Sequence, residues 1–519
     1  MTSPTTSRPK VVVIGAGFGG LAAAIRLQAR GFAVSLVDKR DGAGGRAYVY
    51  RDAGFAFDGG PTVITAPFLF EELFALAGKK MADYVTLVPV DPFYRVRFAD
   101  GRIFNYNGVH EQMLDEIRKF NPDDVDGYNR FLAATKEIFH IGFEDLADIP
   151  FGKFGDMVKI APAMIRLRSY LSVYSLVSKY IKDPDLRVVL SFHPLLVGGN
   201  PFTTTSIYSL IAFLERKWGV WFALGGTGAI VDALVKLFVE LGGTLELGTE
   251  VEQILVERGQ ATGVRLIGGR TLPASLVVSN GDAPFVYKNL LDPSVRRRNT
   301  NGRIDKLRYS MSLVVSYFGT KKTYPDLAHH TILLGPRYKE LLSDIFDKKL
   351  LAPDFSLYLH APTRTDPSLA PPGHENFYVL SPVPHLDSGT NWETEGPIYQ
   401  EKLFDYLEKT CIPGLRENLV TSRIITPQHF HDDLNSEKGA AFSIQPVLLQ
   451  SAYFRFHNQS EDISNLYFVG AGTHPGAGMP GVLSSAKVVD RLIGDRDGTG
   501  NQLDPIAGTH APRRLPARA

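Results

Sequence analysis

From Val11 four β-branched residues lead into glycines spaced Gly15-x-Gly17-x-x-Gly20, and Leu21-Ala-Ala-Ala-Ile-Arg-Leu-Gln-Ala-Arg30 follows at once. Strand, tight turn and helix in that order make the opening of a dinucleotide-binding unit. Gly15 permits the turn, Gly17 lets backbone approach a pyrophosphate, and Gly20 lets helix and strand pack closely. The helix start presents free N–H groups to phosphates. A second strand, residues 32–38, ends in Asp38, about 20 residues past the turn, where a carboxylate accepts hydrogen bonds from adenosine ribose hydroxyls. The same fold serves NAD and FAD, so this unit alone leaves the choice open.

Further glycine-rich boxes follow. Lys39-Arg-Asp-Gly-Ala-Gly44-Gly45-Arg46 offers a second close approach with an arginine beside it, and Phe57-Asp58-Gly59-Gly60-Pro61-Thr62 turns again. Near the other end, the apolar Leu466-Tyr-Phe-Val469 precedes Gly470-Ala-Gly472-Thr-His-Pro-Gly-Ala-Gly478-Met479-Pro-Gly-Val482. Both ends of the chain are therefore expected to close on one cofactor.

These boxes resemble those of the flavin amine-oxidase and carotenoid-desaturase superfamily. Arg46-Ala-Tyr48, Asp58-Gly-Gly-Pro-Thr-Val-Ile64 and the terminal box are similar to the bacterial and fungal phytoene desaturases. Further matches run through Trp221-Phe-Ala-Leu-Gly-Gly-Thr-Gly228, His329-His-Thr-Ile332, Gly335-Pro-Arg337 and Asp354-Phe-Ser-Leu-Tyr-Leu-His-Ala-Pro-Thr363. The resemblance implies FAD as cofactor. It adds Ala16, Gly19 and Lys39 to the contacts of the first unit, Gly45, Arg46, Gly60 and Pro61 to those of the following boxes, and the main chain of Val251 at the adenine. At the far end it implies Gly470, Gly472 and Met479, the last in a segment that turns backbone N–H groups toward the pyrimidine end of the flavin. The family more often carries Glu where this chain has Asp38, one methylene shorter, so FAD affinity is expected to be altered rather than abolished.

The implied fold class is α/β: a Rossmann-type FAD-binding domain interleaved with an α+β substrate domain that carries a mixed or antiparallel sheet and a helical, membrane-facing region. Residues 8–100, 220–300 and 463–495 are assigned to the first, 101–219 to the helical region, and 301–462 to the substrate sheet. Helical spacing over residues 229–241, strand alternation after Gly242 and again over 311–318, and the apolar 277–279 place the intervening elements. The Gly-, Pro- and Arg-rich 496–519 reads as a disordered tail.

With 519 residues and 44% apolar content the chain can bury a large core. A net charge of +1 gives no reason to expect nucleic acid. The single Cys411 excludes an internal disulfide framework and a Cys-x-x-Cys pair, so redox chemistry falls to an organic cofactor and a reducing cytoplasm fits. No metal ligand set shows in the spacing of His and acids. The uncharged run after Lys10 is explained by its glycines better than as a signal peptide. Val188–Leu214 is interrupted by Pro194, Gly198, Gly199 and Pro201, so no membrane-spanning segment is expected.

Between residues 153 and 182, six basic residues stand against the single acid Asp156 ahead of Asp183, and Met164, Leu167, Leu171 and Tyr174 repeat at helical spacing. An ordinary surface helix and a basic helix lying on a membrane are both consistent with this pattern. A carotenoid favours the membrane: roughly 40 carbons at about 0.8 kcal/mol each make transfer through water cost tens of kcal/mol as an upper bound.

The expected reaction is stepwise dehydrogenation of phytoene to neurosporene or lycopene, with hydride passing to flavin N5 and on to a quinone or oxygen. No catalytic acid or base is assigned; His193, His360 and His474 are read as packed residues. Alternatives are a desaturase of C30 or hydroxylated carotenoids, a carotene isomerase, and a non-enzymatic prenyl-binding protein. The expected location is cytoplasmic, peripherally associated with the membrane.

Overall fold

The computed structural model describes residues 8–497, and from residue 498 on the expected tail lies outside the described residues. Lys10–Ile14 is the central strand of a five-stranded parallel sheet in the order Leu466–Phe468, Leu276–Ser279, Lys10–Ile14, Ala33–Val37 and Thr244–Glu246. The start, middle and end of the chain thus share one sheet. Val11, Val12 and Val13 are buried in succession, as a parallel strand covered on both faces requires.

Helix Phe18–Ala29 is buried at every position from Phe18 to Gln28. A helix this apolar, with Arg26 and Gln28 its only polar side chains, must be enclosed, and it packs with Thr227–Glu240 and Met479–Asp497 in one core through Leu21, Ile25, Leu234, Leu237, Leu483 and Val489. A Cβ on Gly20 would stand 1.9 Å from the Gly15 carbonyl oxygen, so the approach of helix to turn exists only without that atom. Buried charges brace the same elements. Arg26 pairs with Glu72, and Lys487 reaches Glu72 at 3.0 Å and Asp148 at 3.6 Å. Burial pushes the Glu72 carboxyl up, but Arg26 and Lys487 outweigh it and hold it below its ordinary range.

A seven-stranded mixed sheet runs in the order Leu419–Ile425, Ser312–Thr320, Glu375–Val383, Leu357–His360, His330–Leu333, Tyr94–Arg97 and Ile103–Tyr106. His330–Leu333 and Tyr94–Arg97 are parallel and the other neighbours antiparallel. Ser312–Thr320 is buried at every position because its alternating side chains enter two cores. Leu313, Val315 and Tyr317 join the aromatic cluster of Tyr94, Tyr106 and Phe192, while Val314 and Phe318 pack on Leu403, Phe404 and Leu407 of helix Trp392–Thr410.

Two details differ from the sequence reading. Tyr94–Arg97, within 8–100, belongs to the seven-stranded sheet and not to the parallel one. The basic helix is Phe154–Arg166, and Tyr174 lies on a separate helix, Val173–Val177. The break falls at Arg168, whose φ of 58° lies in the left-handed region. The Arg168 carbonyl accepts from Ser206 Oγ at 2.8 Å and that of Ser169 from Thr205 Oγ1, so tertiary hydrogen bonds replace the helical ladder there.

Gly20→Ala is expected to cost more than the ~1–3 kcal/mol of ordinary overpacking, read as a large fall in thermal midpoint. Gly302→Ala, in helix Asn301–Asp305 with open space at its Cβ, is expected to be neutral or slightly stabilising.

Candidate active site

The glycine boxes meet around one side chain. A Cβ on Gly17 would come 2.8 Å from Asn280 Nδ2, and Cβ atoms on Gly19 and Gly470 would come 2.5 and 2.7 Å from Asn280 Oδ1. Asn280 sits at the end of strand Leu276–Ser279, its N–H donating to the Ile14 carbonyl at 2.8 Å. Gly17 therefore makes room for Asn280 as well as for any ligand. The second box closes on the first: Gly44 N–H donates to the Ala16 carbonyl at 2.8 Å, and Ala16 N–H donates to Asp38 Oδ2 at 2.7 Å. The third lies on the second, since Cβ atoms on Gly59 and Gly60 would meet the carbonyl oxygens of Tyr48 and Arg46 at 2.5 and 2.9 Å.

Asp58 anchors that third box. Its Oδ1 accepts from Gly228 N–H at 3.3 Å at the start of helix Thr227–Glu240, and Thr227 Oγ1 donates to the Pro61 carbonyl at 2.7 Å. A carboxylate at a helix N-terminus is favoured, yet its Oδ2 has no partner. Burial pushes this carboxyl up to about 6, against the pull of the Thr227 and Gly228 amides.

A cavity of about 790 Å3 opens from these loops, toward the upper end of the ~300–1,000 Å3 usual for small-molecule sites. Gly15, Gly17, Asp38, Lys39, Val251 and Thr249 line one end; Gly45, Arg46, Gly60, Pro61, Gly470 and Met479 line its course. Ala16, Gly19, Gly20 and Gly472 stand behind the wall and shape it. Gly472 does so against helix Ala283–Phe285, where a Cβ would meet Ala283 N at 3.0 Å. Lys39 Nζ donates to Asn435 Oδ1 at 2.7 Å, tying the second strand to the segment after helix Pro427–Asp432.

Arg455, which sequence reasoning passed over, holds the terminal box. It is 1% exposed, and its guanidinium donates to the carbonyls of Ala471 at 2.6 Å, Thr473 at 3.1 Å, Ile444 at 3.3 Å and Gln450 at 3.3 Å. His474, expected to be structural, lines the cavity and packs edge-on against Phe151; burial pushes its imidazole down to about 3, leaving it neutral.

Beyond the loops the cavity becomes apolar, lined by Phe192, Leu195, Leu214, Leu313, Leu334 and Met164 among others, with a polar strip along one side. Thr62 Oγ1 hydrogen-bonds Tyr358 and Tyr378 hydroxyls at 3.1 and 2.9 Å, and Tyr358 hydrogen-bonds His330 Nδ1 at 2.6 Å. Cross-strand pairing sets His330 opposite His360, and with His329 they form a buried trio whose nitrogens lie within 4.8 Å. Sequence spacing could not show this cluster, because strand register creates it. Burial pushes His329 down to about 3 and holds His330 and His360 well below the ordinary imidazole range, so all three are neutral.

The family model for flavin containing amine oxidoreductase matches residues 18–489. A phytoene desaturase (lycopene-forming) of Pseudescherichia vulneris is 53% identical over 485 residues, 93% of this chain and 99% of its own. A phytoene desaturase (neurosporene-forming) of Rhodobacter capsulatus is 46% identical over 501 residues, 95% of this chain and 96% of its own. The chain belongs to the flavin containing amine oxidoreductases, among the phytoene desaturases. An oxidoreductase structure from Methanosarcina mazei shares the fold, with a TM-score of 0.59 at 19% identity, covering 92% of this chain and 99% of that one.

As a flavoprotein of this family, the chain presents a site that fits a flavin dinucleotide. Helix Phe18–Ala29 has neither a side-chain cap nor an acid in its first turn, which leaves its N–H groups for an anion. Arg46 lines the cavity with a buried Nε that lacks a partner. Burial lowers its pKa while Asp282 opposes the shift. Asp38 Oδ1 and Oδ2 each accept one backbone N–H, from Arg40 and Ala16, leaving lone pairs for hydroxyl donors.

Asp58 makes the flavoprotein's stability depend on pH. Its folded value of about 6 lies above the ordinary 3.8, so its contribution is full below about pH 4 and is lost as pH rises through 6. Relative to the parent, Asp58→Asn is expected to gain on the order of 3 kcal/mol between pH 4 and 7.5, checked by denaturant unfolding of both proteins at the two pH values.

Proposed function

We propose that this chain is an FAD-dependent carotenoid desaturase that dehydrogenates phytoene stepwise to neurosporene or lycopene. The observation that carries the reading is a single cavity joining the glycine loops to an apolar channel. FAD, when bound, supplies the two-electron oxidant that takes a hydride from an allylic carbon. Asp38, the N-terminus of helix Phe18–Ala29, Arg46, the Gly59–Pro61 turn and the segment ending in Met479 would hold it. The channel residues align the polyene and exclude water. Phe192, Tyr317, Tyr358 and Tyr378 offer aromatic faces to positive charge developing on the hydrocarbon. Electrons pass on to a quinone or oxygen.

The substrate enters from a membrane surface. Met157, Ile160, Ala161 and Met164 of helix Phe154–Arg166 line the cavity, while Phe154, Val158 and Ile165 are 56%, 59% and 67% exposed beside Tyr170 at 64% and Leu449 at 73%. Ile165, Tyr170 and Leu449 also line the cavity, so this apolar surface surrounds an opening. Lys153, Lys159, Arg166 and Arg168 are exposed around it, a composition suited to anionic headgroups. No described helix is long and apolar enough to cross a membrane, which fits peripheral attachment.

Expression in a bacterial host that makes phytoene is expected to yield coloured products, each step lighter by two hydrogens. Phytoene left unchanged beside folded, yellow protein would favour the C30 or hydroxylated-carotenoid substrate, and an isomer of unchanged mass the isomerase. Ile165→Asp combined with Leu449→Asp is expected to lower flotation with phosphatidylglycerol vesicles at least about tenfold and to leave the thermal midpoint within about a degree. Binding that survives the pair would place the membrane face elsewhere.

A further inference from the structure

We propose that Glu215 is the proton acceptor of the dehydrogenation. The inference rests on the reading just given. Glu215 belongs to helix Leu210–Trp218, whose Leu210, Ile211 and Leu214 also line the cavity. It is 0% exposed, yet it is a lining residue among Phe192, Leu195 and Leu196. Tyr94 O–H donates to Oε1 at 2.7 Å, and His193 Nε2 lies 3.2 Å from Oε2. Burial, and then Glu215 itself, keeps the Tyr94 hydroxyl protonated, so it serves as a donor.

The other carboxylates of the cavity have different occupations. Asp38 accepts from backbone amides and Asp282 accepts from the Glu437 N–H at 2.9 Å, while Glu250 and Asp433 are exposed. Among the described residues the charged partner of Glu215 is His193, not a guanidinium or an ammonium. A carboxylate withdrawn from water without a permanent cation costs several kcal/mol. Tyr94 could be satisfied by a neutral amide at this position. A carboxylate adds a base and a negative charge to a stretch of wall formed by Phe192, Leu195, Leu196, Ile211 and Leu214.

The reaction needs both. Converting –CH2–CH2– to –CH=CH– removes one hydrogen with its electron pair, taken by the oxidant named above, and leaves a delocalised allylic cation. The neighbouring carbon then loses a proton to a Glu215 oxygen, and its C–H electron pair becomes the second bond of the new alkene. Atoms and electrons balance with no further reagent. The charge of Glu215 stabilises the cation before the proton moves, and the acquired proton stays on the Glu215 carboxyl until it is released.

The test compares holoenzyme with Glu215→Gln, using a long-chain polyprenyl dimethylamine, protonated at neutral pH, and the matching neutral hydrocarbon as binding probes. The parent is expected to bind the ammonium at least about tenfold more tightly, and Glu215→Gln to lose that preference with hydrocarbon affinity and flavin content unchanged and a thermal midpoint no lower than the parent's. Desaturation by the variant is expected to fall by about 10²–10⁴-fold. Should Glu215→Gln fail to fold, Glu215→Asp is expected to retain the ammonium preference and part of the rate. A preference that survives in Glu215→Gln, or a rate within about threefold of the parent, overturns the proposal. A parent that prefers the ammonium but leaves phytoene unchanged would refute phytoene as the substrate while leaving the buried anionic site in place.

Discussion

The close meeting of backbone from three distant parts of the chain is the constraint on which the rest depends. Residues 15–20, 280 and 470 come together only because Gly17, Gly19 and Gly470 lack the atom that Asn280 would strike. The five-stranded sheet brings them there, since Lys10–Ile14 pairs with Leu276–Ser279 and that strand pairs with Leu466–Phe468. Sheet order and glycine placement are one device: parallel strands end side by side, and the turns leaving them must pack without side chains. Ligands in such sheets bind at the carboxyl ends of the strands, where this crowding leaves backbone N–H groups facing the cavity.

That geometry explains what could be read from the chain and what could not. The strand, turn and helix of 11–30 are a local pattern, as is the acid ending the second strand, so they are visible in order along the sequence. Asn280 carries no pattern; it is a polar residue at the end of an apolar run, and only strand pairing brings it to the glycines. Arg455 is the same kind of residue, invisible until its four carbonyl partners are assembled. The helix expected to run through Tyr174 stops earlier because Thr205 and Ser206, far along the chain, take over the carbonyls of Ser169 and Arg168. Tertiary hydrogen bonds overrode a periodicity that was real within Phe154–Arg166.

The polar groups behind the cavity wall are arranged by the second sheet. His330 meets His360 because His330–Leu333 pairs antiparallel with Leu357–His360, and Tyr94 comes near through its parallel neighbour. Burial holds the imidazoles neutral, so the strip tolerates an apolar setting through hydrogen bonds instead of charge. Thr62 joins this strip to the Gly59–Pro61 turn, and Tyr317 and Tyr378 donate to the Gly59 and Gly60 carbonyls at 2.7 and 3.0 Å. The substrate-side sheet therefore positions the loop that belongs to the cofactor side.

An enzyme acting on a hydrocarbon has few handles by which to hold its substrate, and the distribution of polarity here answers that difficulty. Hydrogen-bonding groups are concentrated at the glycine loops and along one strip, and the remaining wall is apolar out to the exposed ring at helix Phe154–Arg166. A polyene gains by leaving water anywhere along such a channel, so binding alone does not select a register. The register must come from the few places where the wall changes character. Glu215, backed by Tyr94 and His193, is one such place, and Thr62 with Tyr358, backed by His330, another. Both lie where Tyr94–Arg97 and its neighbours bring the second sheet against the cavity. The interleaving of the chain thus ties the polar strip to the cofactor loops by direct hydrogen bonds, so that the two are positioned together.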